Sequence, residues 1–181
     1  MGHDGAMTDG AVTDGAMRVA VLADTHLRGG VDLLPAPVRD RLDRADLILH
    51  AGDVVSAALL DGLATLAPTW AVLGNNDHDL VGALPDRIER DVGGVRVAMV
   101  HDSGARKGRP ARMRRWFPDA DLVVFGHSHD PVDEVGADGQ RLFNPGSPTQ
   151  RRRQPHRTMG WLVIDAGRIV EHRIERVDPE R

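Results

Sequence analysis

The sequence predicts an α/β domain. Its first half reads as a parallel strand–helix–strand–helix–strand unit, and its second half mostly as antiparallel hairpins. Three observations carry this. The short apolar runs "RVAVLAD", "DLILHAGD" and "TWAVLGNND" alternate with segments of helical spacing between Arg18 and Asp77. Beyond them, paired apolar runs flank glycine turns, as in "DRIERDVGGVRVAMVHDS". The length of 181 residues, with 41% hydrophobic and 28% charged residues, suits one domain with a proper core.

Residues 1–17, MGHDGAMTDGAVTDGAM, lack apolar periodicity and repeat TDGA. The expectation is a tail outside the fold, with residues 18–181 as a single domain. The tail has neither a basic n-region nor an apolar h-region, and no segment approaches the ~20 apolar residues of a membrane span. A cytoplasmic protein without a membrane partner is expected. From Arg18 each element follows in order. The strand ending at Asp24 precedes a helix in "PVRDRLDRA", where Val38 and Leu42 share a face. The strand ending at Asp53 precedes a helix in "SAALLDGLATLA", with Ser56 as its N-cap. The third strand runs into Asn75. Two strands then turn at Gly93-Gly94, "RPARMRRWF" forms a basic helix stopped by Pro118, and "DLVVFGHSHD" is another strand. The hairpins "VDEVGADGQRLFNPGS" and "WLVIDAGRIVEHRIERV" complete the chain.

Composition narrows the chemistry. There are no cysteines, which excludes disulfides, thiolate zinc sites and thiol nucleophiles. A net charge of −4 argues against bulk phosphate-backbone binding, and 3% aromatics leaves few stacking platforms for single strands. Any metal is held by His, Asp, Glu or Asn.

Five strands end in such residues: Asp24 and His26, Asp53, Asn75, His101, and His127 and His129. In α/β sheets, sites form beyond the carboxyl ends of strands. Asp24/His26 and His127/His129 are spaced i, i+2, so on an extended segment each pair points one way. Singly, an Asp or Asn after a strand is usually a turn or cap residue. The conjunction of all five is not explained by turns. Seven ligands exceed the four of one zinc site and suit two cations sharing a carboxylate. Oxygen and imidazole donors without sulfur favour Mn, Fe, Zn, Co or Ni over calcium. Two divalent ions against Asp24 and Asp53 leave a positive surplus that attracts phosphate.

The ordered set D-x-H, GD, GNND, H and GHSH resembles the calcineurin-like metallophosphoesterase superfamily. The "FNPGSPT" stretch around Asn144 resembles its compact bacterial and archaeal phosphodiesterase branch. The resemblance implies a four-layer αββα sandwich, two mixed β-sheets flanked by helices. It implies two divalent metal ions per chain, manganese first among them. Asp24, His26, Asp53 and His129 hold one ion, and Asp53, Asn75, His101 and His127 the other, with Asp53 bridging and a metal-bridging hydroxide as nucleophile. Many relatives carry a proton-donating histidine where this chain has Asn76. An amide cannot serve as a general acid, so the implied substrates are phosphodiesters or activated aryl phosphates. Asp77, grouped with Asn76 in the catalytic stretch, either orients Asn76 or caps the turn. Asp102 stands where relatives commonly have glycine.

Other residues carry weaker signals. His50 lies out of phase with Asp53 and reads as structural, and His78 as a loop residue. Arg112, Arg114 and Arg115 ride a helix, and Arg151, Arg152 and Arg153 follow the NPGS loop. Each cluster is either solvated surface or a reader of substrate phosphate, with the second the better candidate for substrate binding. Two other functions stay open. One is a weakly active or inactive interaction scaffold, since a retromer subunit resembles the same fold. The other is a nuclease, which the arginine clusters favour and the charge balance disfavours.

Overall fold

The computed structural model describes residues 15–178. Most of the expected tail, residues 1–14, lies outside the described residues. Met17, expected in the tail, already belongs to the first strand, where it pairs with Ile164.

Strand β1 (Met17–Leu22) leads through helix α1 (Ala36–Leu42) to β2 (Leu47–His50), then through α2 (Ala57–Leu66) to β3 (Thr69–Ala71). The pairs β1–β2 and β2–β3 are parallel, as the alternating pattern requires. Ser56 occupies the N-cap position of α2 but its side chain makes no capping bond. Strands β4 (Arg87–Val92) and β5 (Val95–Val100) form the first hairpin. Helix α3 (Arg109–Trp116) leads to β6 (Leu122–Val124), and β7 (Val132–Val135) pairs with β8 (Arg141–Asn144). The last hairpin joins β9 (Thr158–Asp165) to β10 (Arg168–Arg176). Gly93 and Gly94 both have positive φ, 57° and 88°, which gives the tight primed turn that matches strand twist.

Two five-stranded mixed sheets result, ordered β10-β9-β1-β2-β3 and β4-β5-β6-β8-β7. The hairpin pattern did not signal two features. β5, β6 and β8 pair in parallel at the centre of the second sheet, and β9 returns to the first sheet antiparallel to β1.

Strand alternation sorts the core into layers. Val19 and Val21 of β1 face Val97, Met99, Val124 and Phe143 between the sheets. Ala20 and Leu22 face outward onto Val38 and Leu42 of α1 and Leu59 and Leu63 of α2. On the far side, Ala98, Val123 and Leu142 receive Met113 and Phe117 around α3. The order is helices, sheet, sheet, helix, which is the expected αββα sandwich. The strand ends of both sheets open at one edge, and the polar residues after them meet there. No described helix is long and apolar enough to cross a membrane.

Candidate metal centre

The loops after β1 and β2 are stitched together by backbone bonds. Asp24 N donates to Gly52 O (3.0 Å) and His26 N to Asp53 O (3.0 Å). Their conformation differs from the extended one expected. Asp24, His26, Asp53, His127 and His129 all have positive φ, between 48° and 68°. Asp and His are among the residue types that tolerate this left-handed region best. The pairs therefore converge through tight left-handed turns rather than by pointing alike along a strand. Two glycines permit the approach. A β-carbon on Gly74 would lie 2.1 Å from Asp53 N, and one on Gly126 would lie 2.8 Å from Asp24 Oδ2.

All seven expected ligands come together. His26 Nε2 lies 3.2 Å from His129 Nε2, and His129 Nε2 lies 3.4 Å from Asp24 Oδ1. Asp53 Oδ2 stands 3.5 Å from both His26 Nε2 and His101 Nε2. The Asn75 amide oxygen is 3.0 Å from His101 Nε2 and 2.9 Å from His127 Nδ1. Two groups meet the geometry for holding a cation: Asp24, His26 and His129, and Asp24, Asp53 and His101.

The residues present fit a metal. Both carboxylate oxygens of Asp24 are buried and accept no hydrogen bond among the described residues. A buried carboxylate without donors is costly, and a cation is the partner that these surroundings offer. The other ring nitrogens are tied back. His101 Nδ1 bonds Ala51 O at 2.7 Å and His129 Nδ1 bonds Gln150 O at 2.7 Å. With the N–H donated there, each Nε2 turns a lone pair to the cluster. Burial pushes the His26 imidazole down, against the pull of the Asp53 and Asp24 carboxylates. Burial would push the Asp53 carboxyl up. Bonds from His101 and from the Asn76 backbone and side chain outweigh that and hold it well below the usual carboxylate range. Burial would push the His101 imidazole down, but its bonds to the Asp53 carboxylate and the Ala51 carbonyl outweigh that and leave it raised. The centre is lopsided: Asp24, Asp53, His101 and His129 are buried, whereas Asn75, Asn76 and His127 face solvent. Solvent reaches the cluster from that side.

The remaining expected site residues divide. Asn76 donates its backbone N–H to Asp53 Oδ1 (2.8 Å) and its side-chain N–H to Asp53 Oδ2 (2.7 Å). Asp77 does not orient Asn76. Its buried carboxylate accepts N–H bonds from Asp53 (2.9 Å), Gly74 (2.7 Å) and Val55 (2.6 Å), clamping the GD loop to the GNND loop. It is a positioning residue rather than a catalytic one. Of the three arginines, only Arg152 reaches the cluster, donating to His127 O at 3.2 Å. Arg151 turns to the carbonyls of Gln154 and Pro155, and no described bond is made by the Arg153 side chain. Arg112 and Arg114 hold backbone carbonyls around α3. Asp102 caps its own loop by accepting from Gly104 N. His50 is buried against Thr25 Oγ1 at 3.0 Å, as a structural residue should be.

Sequence reasoning missed the brace under the centre. Ser147 Oγ donates to Asp24 O (2.8 Å), Thr149 Oγ1 to Thr25 O (2.6 Å), and Asn144 Nδ2 to Gly126 O (2.9 Å). The hydroxyl-rich run after "NPG" was the available signal.

Residues 17–167 of the chain match the model of the calcineurin-like phosphoesterase superfamily domain. The chain belongs to the calcineurin-like phosphoesterase superfamily. A "Probable metallophosphoesterase" of Methanothermobacter thermautotrophicus is 34% identical over 138 residues, which cover 75% of this chain and 80% of that protein. Among solved structures, the zinc complex of Vps29 from Entamoeba histolytica matches with a TM-score of 0.70 at 23% identity, covering 90% of this chain and 99% of that one. A structure described as a novel archaeal phosphodiesterase matches with a TM-score of 0.67 at 22% identity, covering 88% and 99%. Both structures share the fold. Membership makes phosphoric ester hydrolysis supported by divalent metal the chemistry of the family, and the donor cluster is where residues of this chain that could hold a metal gather.

Proposed function

We propose that this chain is a dinuclear metal-dependent phosphodiesterase acting on diesters or activated aryl phosphates. The buried Asp24 carboxylate, without a hydrogen-bond partner among the described residues and grouped with His26, His129, Asp53 and His101, is the observation that carries the reading. Asp24, His26, Asp53 and His129 would hold one ion, and Asp53, Asn75, His101 and His127 the other. Manganese is the ion proposed, and the Asp53 oxygen midway between His26 and His101 suits a shared ligand. Bound there, a pair of divalent ions supplies Lewis acidity for the phosphoryl oxygens and a nucleophile at neutral pH.

The protein's own residues then set geometry and charge. The carbonyls of Ala51 and Gln150 hold His101 and His129 in one tautomer. The two Asn76 N–H groups fix the rotation of the Asp53 carboxylate. Arg152, anchored on the His127 carbonyl, brings a guanidinium to the open side, where a substrate phosphate arrives. Asn76 cannot give a proton to a leaving alkoxide. Substrates with acidic leaving groups are therefore preferred.

The Vps29 structures of the same fold favour a second reading, a scaffold with little activity. The complete donor set argues against it. A panel of phosphoesters on manganese-reconstituted protein decides between them. Hydrolysis of bis-nitrophenyl phosphate well above the metal-free rate supports the enzyme. No turnover on any diester or monoester, with metal bound, supports the scaffold.

A further inference from the structure

A basic groove is lined by residues of the loop that braces the metal centre. Its volume is about 400 Å³, and Arg151, Pro155, His156, Arg157, Arg176 and Asp178 line it. That size lies within the range of small-ligand sites. The loop connects it to the centre residue by residue. Gln150 gives its carbonyl to His129, Arg152 reaches His127, and Arg151 between them turns into the groove.

Charge in the groove is uneven. Three guanidinium groups face one carboxylate, in a chain whose net charge is −4. That carboxylate is already engaged: Asp178 accepts from Arg157 N at 3.0 Å and from His156 Nδ1 at 2.7 Å, with Arg176 at 3.8 Å. Arg157 Nε is buried and has no hydrogen-bond partner among the described residues. Arg151 has only long contacts, 3.4 and 3.5 Å, to carbonyl oxygens. A partly buried guanidinium whose Nε has no acceptor among the described residues, beside two others, is a site short of an anion. Guanidinium forks suit phosphate oxygens, which can accept two parallel bonds.

We propose that this groove binds a second phosphate of the substrate, one carried beyond the diester being cleaved. The inference rests on the diesterase reading and narrows the substrate class to compounds with at least two phosphates, such as a dinucleotide bearing a terminal phosphate. Arg157 and Arg176 supply the paired donors, Arg151 closes the side toward the metal centre, and Asp178 holds the floor rigid.

Two measurements test it. The first needs no catalysis: isothermal titration of pyrophosphate into protein stripped of metal and freed of chelator. Two or three charge-assisted bonds give a Kd on the order of 0.1 mM. The double variant Arg157→Gln/Arg176→Gln should weaken it at least tenfold. Arg176→Gln alone, at a side chain 66% exposed and so not needed for folding, should weaken it severalfold. Equal affinity in wild type and both variants, or no binding in wild type, overturns the groove. The second compares KM for the thymidine dinucleotide with and without a 5′-terminal phosphate on the metal-loaded enzyme. The terminal phosphate should lower KM about tenfold in wild type, and the ratio should approach one in the double variant. A ratio of one in wild type, with pyrophosphate still bound, overturns the assignment to substrate and leaves a separate anion site. If no diester is cleaved, the diesterase reading and the substrate assignment fall together, while the titration still decides whether the groove holds an anion.

Discussion

Removing the Asp77 carboxylate should loosen the metal centre without touching a single proposed ligand. Asp77 is 1% exposed and accepts three backbone N–H bonds, from Asp53, Val55 and Gly74. The loop it holds is strained: Asp53 and the β-branched Val55 have φ of 58° and 76°. In Asp77→Ala three donors lose their acceptor. Each fully buried loss costs about 1–3 kcal/mol, but Val55 and Gly74 are only half-buried and water can reach them, so the sum is about 3–5 kcal/mol. Asp77→Asn keeps one oxygen for Asp53 and Gly74 and loses the bond to Val55, a cost of about 2 kcal/mol. A domain in the middle of the usual range of about 5–15 kcal/mol stays folded through either change. Because the released loop carries Asp53, metal affinity should fall about 10–100-fold, as for other groups that orient ligands. Urea unfolding of metal-free protein isolates the stability term, since bound ions would add their own. A manganese titration then measures affinity. A loss below about 1 kcal/mol in Asp77→Ala would refute the clamp. A large stability loss with unchanged manganese affinity would show that the clamp does not position the centre.

Three further outcomes are expected. His50 is fully buried, and burial, against the pull of Asp77 and Asp24, pushes its imidazole from 6.5 down to about 4. The unfolded chain binds a proton there that the folded chain refuses, so this stability is complete above about pH 6.5, is about 2 kcal/mol smaller at pH 5 and is gone below about pH 4; urea midpoints of metal-free wild type and His50→Gln at pH 5 and 7.5 should differ by that amount, and equal pH slopes would contradict it. At Asn76, rates across aryl and alkyl diesters should fall steeply with leaving-group pKa, and Asn76→His should flatten the trend by up to ~10²-fold for alkyl esters; a shallow trend in wild type that steepens in His78→Ala would instead make His78 the acid. Arg152→Ala should raise KM for bis-nitrophenyl phosphate about tenfold with little change in kcat, and an unchanged KM would remove Arg152 from the substrate site.

Much of the centre was legible because a strand end is marked by two signals at once. An apolar run of four to seven residues stops, and a residue with metal-binding chemistry follows, as at Leu22-Ala23-Asp24 and Phe125-Gly126-His127. Layering followed as well, since alternation along β1 sends Val19 and Val21 one way and Ala20 and Leu22 the other. What escaped was nonlocal or carried by backbone. The return of β9 beside β1 depends on pairing across more than a hundred residues, which no local pattern encodes. The carbonyls of Ala51 and Gln150 have no residue-type signature, because every residue has one. The turn conformation of Asp24 and His26 was misjudged as extended because i, i+2 spacing alone does not distinguish a strand from a left-handed turn. Asp77 was placed with the reacting groups because acid beside amide looks alike whether the acid faces the site or the loop beneath it.

The number of ions per chain tests the central claim most directly. Manganese-reconstituted wild type and Asp53→Asn, freed of loose metal by dialysis against a fixed low manganese concentration, would be analysed for metal and protein. Two ions per chain in wild type, with both sites weakened in Asp53→Asn, is the predicted result, because the Asp53 oxygen stands 3.5 Å from a histidine of each set. At most one ion per chain in wild type under saturating manganese would contradict it.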